Sequence, residues 1–233
     1  MLSGDNLWLG VTGTIVLWAI SGGLAILIAF ILAAGSVSPR RFTRILARAA
    51  VNVTRGVPTS LFVIATGIAT MHLVVMVDLP IIFPGTTPAF QHLAWAIAFA
   101  LALGSAGHLA EIFIAARSAL GQARLTQARV LGLSRLRHAE VIARECAAIA
   151  LPPVGTRLIH HLHNTAFASL FPVADLFGAI EGEASTTFRI FHAALLGCGI
   201  YVLLSGLTWL AFRWLEAAFA PPVAERAGTR LPA

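Results

Sequence analysis

Two sets of ionisable side chains sit inside stretches that are otherwise apolar. Within residues 92–116, Gly104, Gly107, His108 and Glu111 fall at i, i+3, i+4 and i+7, which on a helix gathers small and ionisable groups on one face. Within residues 147–171, Arg157, His160, His161 and Asn164 repeat that spacing, with His163 and Thr165 beside them. A charge placed in hydrocarbon is costly unless it faces protein or a water-filled path, so both sets point to passage or binding of something polar. Glu111 has a second reading as a salt bridge or helix-end cap, because Arg117 follows about two turns later. A metal site on His160, His161 and His163 would need ligands converging from several elements, so polar lining or helix–helix hydrogen bonding is the stronger expectation. No G-x-S-x-G or H-E-x-x-H string accompanies these residues, and nothing else forms an enzymatic constellation.

The elements that must hold these side chains are membrane helices. The chain has 233 residues, 58% hydrophobic and 11% charged, with mean hydropathy +0.85, which excludes an ordinary soluble domain. Five apolar runs, at about residues 7–34, 58–77, 92–116, 147–171 and 190–212, are candidate spans. Only Asp5 precedes the first run, with no basic region and no small-residue cleavage site, so this run is expected to be retained as a span.

All 16 basic residues are arginine, so no P-loop lysine or Schiff-base lysine exists in the sequence. The arginines fall in short blocks between the runs. Arg40, Arg41, Arg44, Arg48 and Arg55 follow the first, and Arg117, Arg124, Arg129, Arg135, Arg137 and Arg144 follow the third. By the positive-inside rule both stretches are cytoplasmic, which puts the N-terminus outside and the C-terminus inside. That distribution writes topology, and no nucleic-acid partner is expected. The arginine-free stretch at residues 78–91 and the acidic one at residues 172–189, with Asp175, Glu181 and Glu183, belong outside. Between spans three and four lies a cytoplasmic loop, about residues 117–146, expected as two short helices meeting at Gly132 with Ser134 capping the second.

Several short strings, taken in order, resemble the permease subunits of bacterial ABC importers for polar amino acids of the histidine, glutamine, arginine and opine type. They are Arg55-Gly56-Val57-Pro58, Ala110-Glu111-Ile112-Phe113, Ala128-Arg129-Val130-Leu131-Gly132-Leu133-Ser134, Leu151-Pro152-Pro153-Val154-Gly155 and Leu162-His163-Asn164-Thr165-Ala166. The resemblance covers nearly the whole chain and departs from the family at three points. Thr126-Gln127-Ala128 stands where Glu-Ala-Ala is usual, Ile114 where an arginine is common, and His163 where a lysine is common, the last as on the histidine-permease side of the family.

The resemblance implies an all-α membrane protein, one permease domain over residues 1–233 with five transmembrane helices and a cytoplasmic coupling-helix loop between spans three and four. It further implies that Thr126, Gln127, Ala128, Arg129, Gly132, Leu133 and Ser134 dock on a separate ABC ATPase, which holds ATP and magnesium. This chain would then hold no cofactor and would not be an enzyme. The implied partners are a second permease, identical or related, a periplasmic or extracellular substrate-binding protein, the amino acid and the lipid bilayer of a bacterial inner membrane. Glu111, Arg157, His160, Asn164 and Thr165 become the expected substrate path, supplying donors for a carboxylate and an acceptor for an ammonium. The competing function is a secondary carrier driven by a proton or sodium gradient, with Glu111 and the histidines as protonation sites. Against it stand the small number of spans and the lack of a detectable internal repeat.

Overall fold

The computed structural model describes residues 4–71, 80–121 and 134–219. These residues form helices α1 (Gly4–Ser36), α2 (Arg41–Gly56), α3 (Thr59–Met71), α4 (Gln91–Ala119), α5 (Arg135–Asn164), α6 (Leu176–Thr187) and α7 (Ile190–Phe219), with short 3-10 segments at Pro88–Phe90 and Thr165–Leu170. Among the described residues there is no strand. The all-helical expectation holds, and its reason is physical: in hydrocarbon each backbone donor and acceptor must be met within the segment.

Three stretches are long and apolar enough to cross a membrane on their own, Asn6–Ser36, Pro88–Ala119 and Ile190–Phe219. The other two candidate spans differ for local reasons. The described part of α3 is a shorter apolar helix. Helix α5 carries the arginines and histidines that lower its mean hydropathy.

Helix α4 is the centre of the bundle and packs against α1, α2, α3 and α5. Fifteen of its residues are buried, including Leu93, Ile97, Leu101 and Leu109, whereas α7 buries only Ala193, Gly197 and Thr208. The apolar side chains that α7 exposes, Val202, Leu207 and Trp214 among them, suit contact with lipid. Gly107 allows the close approach of α2 to α4: a Cβ there would meet the Thr54 hydroxyl and lie 2.9 Å from the Val51 carbonyl oxygen. The small-residue face read from the sequence is therefore the seat of a neighbouring helix.

Two stretches are more regular than the sequence suggested. The basic stretch after the first span is a helix, α2, with Ala47, Val51 and Thr54 turned inward and Arg41, Arg48 and Arg55 exposed. The boundary placed near residue 147 is not a break, because α5 runs unbroken from Arg135 through Pro152 and Pro153 to Asn164. Each proline removes one helix hydrogen bond, and the Thr156 hydroxyl donates to the Pro152 carbonyl at 3.2 Å. Ser134 caps α5 as expected, its hydroxyl accepting from the Arg137 N–H. The remaining residues of the expected coupling segment, Thr126, Gln127, Ala128, Arg129, Gly132 and Leu133, lie outside the described residues.

The stretches that precede α4 and α6 are tied to the bundle by buried polar side chains. The Gln91 amide accepts from the Ile82 and Phe83 N–H groups and donates to the Phe83 and Thr86 carbonyls, while the Thr14 hydroxyl accepts from Leu176 N–H at 2.8 Å. Asp175 caps α6, its carboxyl oxygens accepting from Phe177 and Gly178 N–H at 3.1 Å each. Burial pushes this carboxyl up from 3.8 to about 7, against the two backbone hydrogen bonds that hold it down.

The folded chain thus keeps a proton on Asp175 that the unfolded chain releases between about pH 3.8 and 7. Its stabilising contribution is complete at low pH and is lost as pH rises through the folded value. Thermal melts in detergent are expected to show a lower midpoint at pH 8 than at pH 5, and Asp175→Asn, which keeps a capping oxygen, should shrink that difference. An unchanged difference in the variant would assign the pH dependence to another group.

Candidate functional site

Helix α4 presents Gly104, Ser105, His108 and Glu111 along about 10 Å of one face, and α2, α5 and α1 close over them in turn. At the far end Arg55, in the last turn of α2, pairs with Glu111, Nη1 to Oε1 at 3.2 Å. Two of the strings singled out in the sequence, 55–58 and 110–113, are joined by this contact. The partner of Glu111 is therefore Arg55 of another helix and not the nearby Arg117. The side chains are 41% and 45% exposed, so water screens the pair. A double-mutant cycle of Arg55→Gln and Glu111→Gln, read by thermal unfolding, is expected to give a coupling of about 1 kcal/mol or less. A coupling several times larger would mean that the pair is desolvated in the working protein.

One turn inward along α4, His108 is half-buried and lies in the fields of Arg157 and Arg55. Next, the Arg157 guanidinium reaches from α5 to α4, where Nη2 donates to the Gly104 carbonyl at 2.7 Å and to the Ser105 hydroxyl at 3.2 Å. Arg157 Nε is buried and has no hydrogen-bond partner among the described residues. His161, fully buried, ends the ladder: Nδ1 is 2.8 Å from Ser105 Oγ, and Nε2 is 2.7 Å from Ser21 Oγ of α1. Three helices thus meet on one imidazole. The indole of Trp18 adds a second tie from α1 to α5 by donating to the Leu158 carbonyl.

The face read from the sequence on α5 divides. Positions i+3 and i+4 lie on opposite sides of Arg157, so His161 turns into the bundle while His160 is exposed, its ring edge-on to that of His163. His163 contacts α7 instead, Nε2 lying 3.0 Å from Ser205 Oγ. Asn164 is half-buried at the end of α5, and the buried Thr165 hydroxyl donates to the Leu162 carbonyl. Of the five expected path residues, the structure brings Glu111 and Arg157 into one ladder and places His160, Asn164 and Thr165 apart from it. Sequence reasoning missed Ser21, Ser105 and Arg55 as members. For Ser105 the signal was its place directly after Gly104, on the face already picked out. Among the described residues no three of His, Cys, Asp or Glu converge to hold a metal ion.

Chemically, the ladder is unbalanced. Arg55 already offsets the charge of Glu111, whereas the partners of Arg157 among the described residues are neutral oxygens. A guanidinium so placed favours a carboxylate or another planar anion.

No family model matches the chain. It is 28% identical over 224 residues to the histidine/lysine/arginine/ornithine transport system permease protein HisM of Salmonella typhimurium, covering 95% of this chain and 89% of that protein. With the protein of the same name from Escherichia coli it shares 26% identity over 214 residues, 91% of this chain and 84% of the relative. The arginine ABC transporter permease protein ArtM of Haemophilus influenzae is 28% identical over 124 residues, 53% of this chain and 55% of that one. Among solved structures, an amino acid ABC transporter crystallised with histidines superposes with TM-score 0.70 at 22% identity, over 93% of both chains. An inward-facing form of the methionine ABC transporter MetNI gives TM-score 0.66 at 14% identity, over 94% of this chain and 97% of that one. The named sequence relatives are permeases of transport systems, ArtM that of an ABC transporter, and the two structural neighbours, both ABC transporters, show a shared fold.

Proposed function

We propose that this chain, a relative of the permease subunits of amino-acid ABC transporters over nearly its whole length, forms the translocation path of an ATP-driven importer, with Arg157 as the receptor for the substrate carboxylate. The observation that carries the site is the Arg157 guanidinium: it is shared by α4 and α5, has no counter-ion among the described residues and keeps a buried Nε–H without a partner. A buried charged donor without an acceptor is unfavourable, and an incoming carboxylate relieves it. The relatives' names supply the substrate class, histidine and the basic amino acids. Glu111, held by Arg55, is the acceptor for a substrate ammonium, and His160, Asn164 and Thr165 line a later part of the path.

ATP and magnesium belong to a partner ATPase, since this sequence has no P-loop lysine. The segment from Thr126 to Ser134 contacts that ATPase, and the continuous helix α5 carries its movement to Arg157. This continuity gives the coupling a rigid lever: a displacement near Ser134 reaches residue 157 through a single helix. Five spans, with the N-terminus outside and the C-terminus in the cytoplasm, fit the four arginines along α2 and Arg117 in the last turn of α4. A second permease, identical or related, completes the path, and a substrate-binding protein delivers the amino acid from outside.

The test is uptake of labelled L-histidine and L-arginine into vesicles holding the permease with its ATPase and binding protein. Uptake is expected to require ATP and to be unchanged by proton and sodium uncouplers. Collapse on adding an uncoupler with ATP held constant would sink the proposal.

A further inference from the structure

We propose that His161 is a positioning residue: as a neutral imidazole protonated on Nε2, it orients Ser105 so that Arg157 is presented to the substrate carboxylate. The inference rests on the reading of Arg157 as the carboxylate receptor and adds the side chains that make it one.

The hydrogen positions follow from counting protons along a chain of four side chains. Ser21 Oγ lies 2.5 Å from the Leu17 carbonyl oxygen, a separation that two oxygens adopt only with a hydrogen between them. A serine hydroxyl has one hydrogen, so toward His161 Ser21 can only accept. The imidazole Nε2, 2.7 Å away, therefore carries a proton. A neutral ring then has a lone pair on Nδ1, and Ser105 Oγ, 2.8 Å from it, donates there. With its hydrogen so directed, Ser105 turns its lone pairs to the Arg157 Nη2 group at 3.2 Å.

The chain has one direction throughout, from Arg157 to Ser105, His161, Ser21 and the Leu17 carbonyl. A doubly protonated ring would set a second positive charge beside the Arg157 guanidinium at a fully buried position. The Nδ1-protonated tautomer would leave Nε2 as an acceptor opposite a hydroxyl whose hydrogen is already committed to Leu17.

The consequence for the ligand is geometric. With Gly104 carbonyl and Ser105 hydroxyl both holding Nη2, the guanidinium plane is fixed while Nε–H stays unpaired. The side chain is only partly buried, so a planar carboxylate can reach it. Without the acceptor on His161, the Ser105 hydroxyl is free to rotate, and Arg157 loses one of its two fixed partners.

The experiment measures equilibrium binding of L-histidine, L-arginine and their carboxamides to the detergent-purified permease–ATPase complex, with no binding protein present. Ser105→Ala and His161→Leu are expected to weaken binding of the amino acids about tenfold, the size of one lost hydrogen bond, while binding of the carboxamides changes by less than about twofold. His161→Asn, whose side-chain oxygen lies near the position of Nδ1 and keeps an acceptor for Ser105, should restore binding to within about threefold of wild type. A purely structural role predicts Asn no better than Leu and equal losses for acids and amides; either result overturns the proposal. A second measurement is independent of ligand: nitrogen NMR of histidine-labelled protein, with the His161 signals assigned by their absence in His161→Asn. A neutral ring protonated on Nε2 supports the chain of donors, and an Nδ1-protonated or doubly protonated ring refutes it. Amino-acid binding by the wild type without discrimination among the variants would count against His161 alone, whereas ATP-independent uptake would count against the importer reading.

Discussion

Replacing Arg157 by methionine is expected to lower uptake by the reconstituted importer about thirtyfold or more, while the permease still assembles with its ATPase. Methionine matches the length of the aliphatic stem and removes the fork that binds Gly104 and Ser105. Losing a charge-assisted contact to a carboxylate in a partly desolvated site costs about 2–5 kcal/mol, and each 1.4 kcal/mol is a factor of ten. Arg157→Lys keeps the charge but cannot hold two acceptors on one planar group, so it should fall between wild type and Met. The decisive comparison is uptake against basal ATP hydrolysis in the same vesicles. Loss of uptake with ATP hydrolysis intact places Arg157 on the path, and loss of both in parallel with a poor yield of complex would reduce it to a structural residue.

The second large effect belongs to Gly107. Gly107→Ala puts a carbon 2.9 Å from the Val51 carbonyl oxygen and 2.9 Å from Arg55 Cγ, and against the Thr54 hydroxyl. The Arg55 stem can yield, but a carbonyl held in α2 cannot without moving the helix. Overpacking of this kind costs about 1–3 kcal/mol, which outweighs the gain of up to about 1 kcal/mol that alanine brings to a helix. The unfolding midpoint in detergent should fall by about 5 °C, and Gly107→Leu should prevent recovery of a folded complex. Gly206→Ala is the control. Nothing lies within 4 Å of a Cβ there, so it should be neutral or slightly stabilising. A Gly107→Ala protein as stable as that control would mean that α2 does not sit against α4. Because Arg55 follows Thr54 directly, the same substitution also displaces the partner of Glu111.

These effects mark how far the linear sequence could be read. The 3.6-residue period that gathers Gly104, Gly107, His108 and Glu111 on one face is a property of the helix alone, and the structure sets α2 and α5 against that face of α4. The cap at Ser134 was legible for the same reason, since it involves only its own first turn. Periodicity could not decide between His160 and His161, which flank Arg157 at i+3 and i+4 on one helix. Which of them is buried depends on where α1 and α4 lie, and those helices bring Ser21 and Ser105 from 140 and 56 residues away in sequence. The partner of Glu111 was misjudged in the same way. Arg117 is close along the chain, yet Arg55, 56 residues distant, is the one that α2 carries to it.

By itself, then, the sequence determined that this chain lives in a membrane, that it is helical, and which face of α4 is polar, because hydrocarbon and the helical period impose those on apolar runs of this composition. Its ordered strings also pointed to the permease relatives. Tertiary structure alone decided that α5 is one continuous helix through Pro152 and Pro153, that Arg55 pairs with Glu111, and that His161 joins three helices while Arg157 is left with a donor to spare. Hydrogen-bond partners are chosen by distance in space, and in a bundle that distance is set by how small residues such as Gly104 and Gly107 let the helices close on one another.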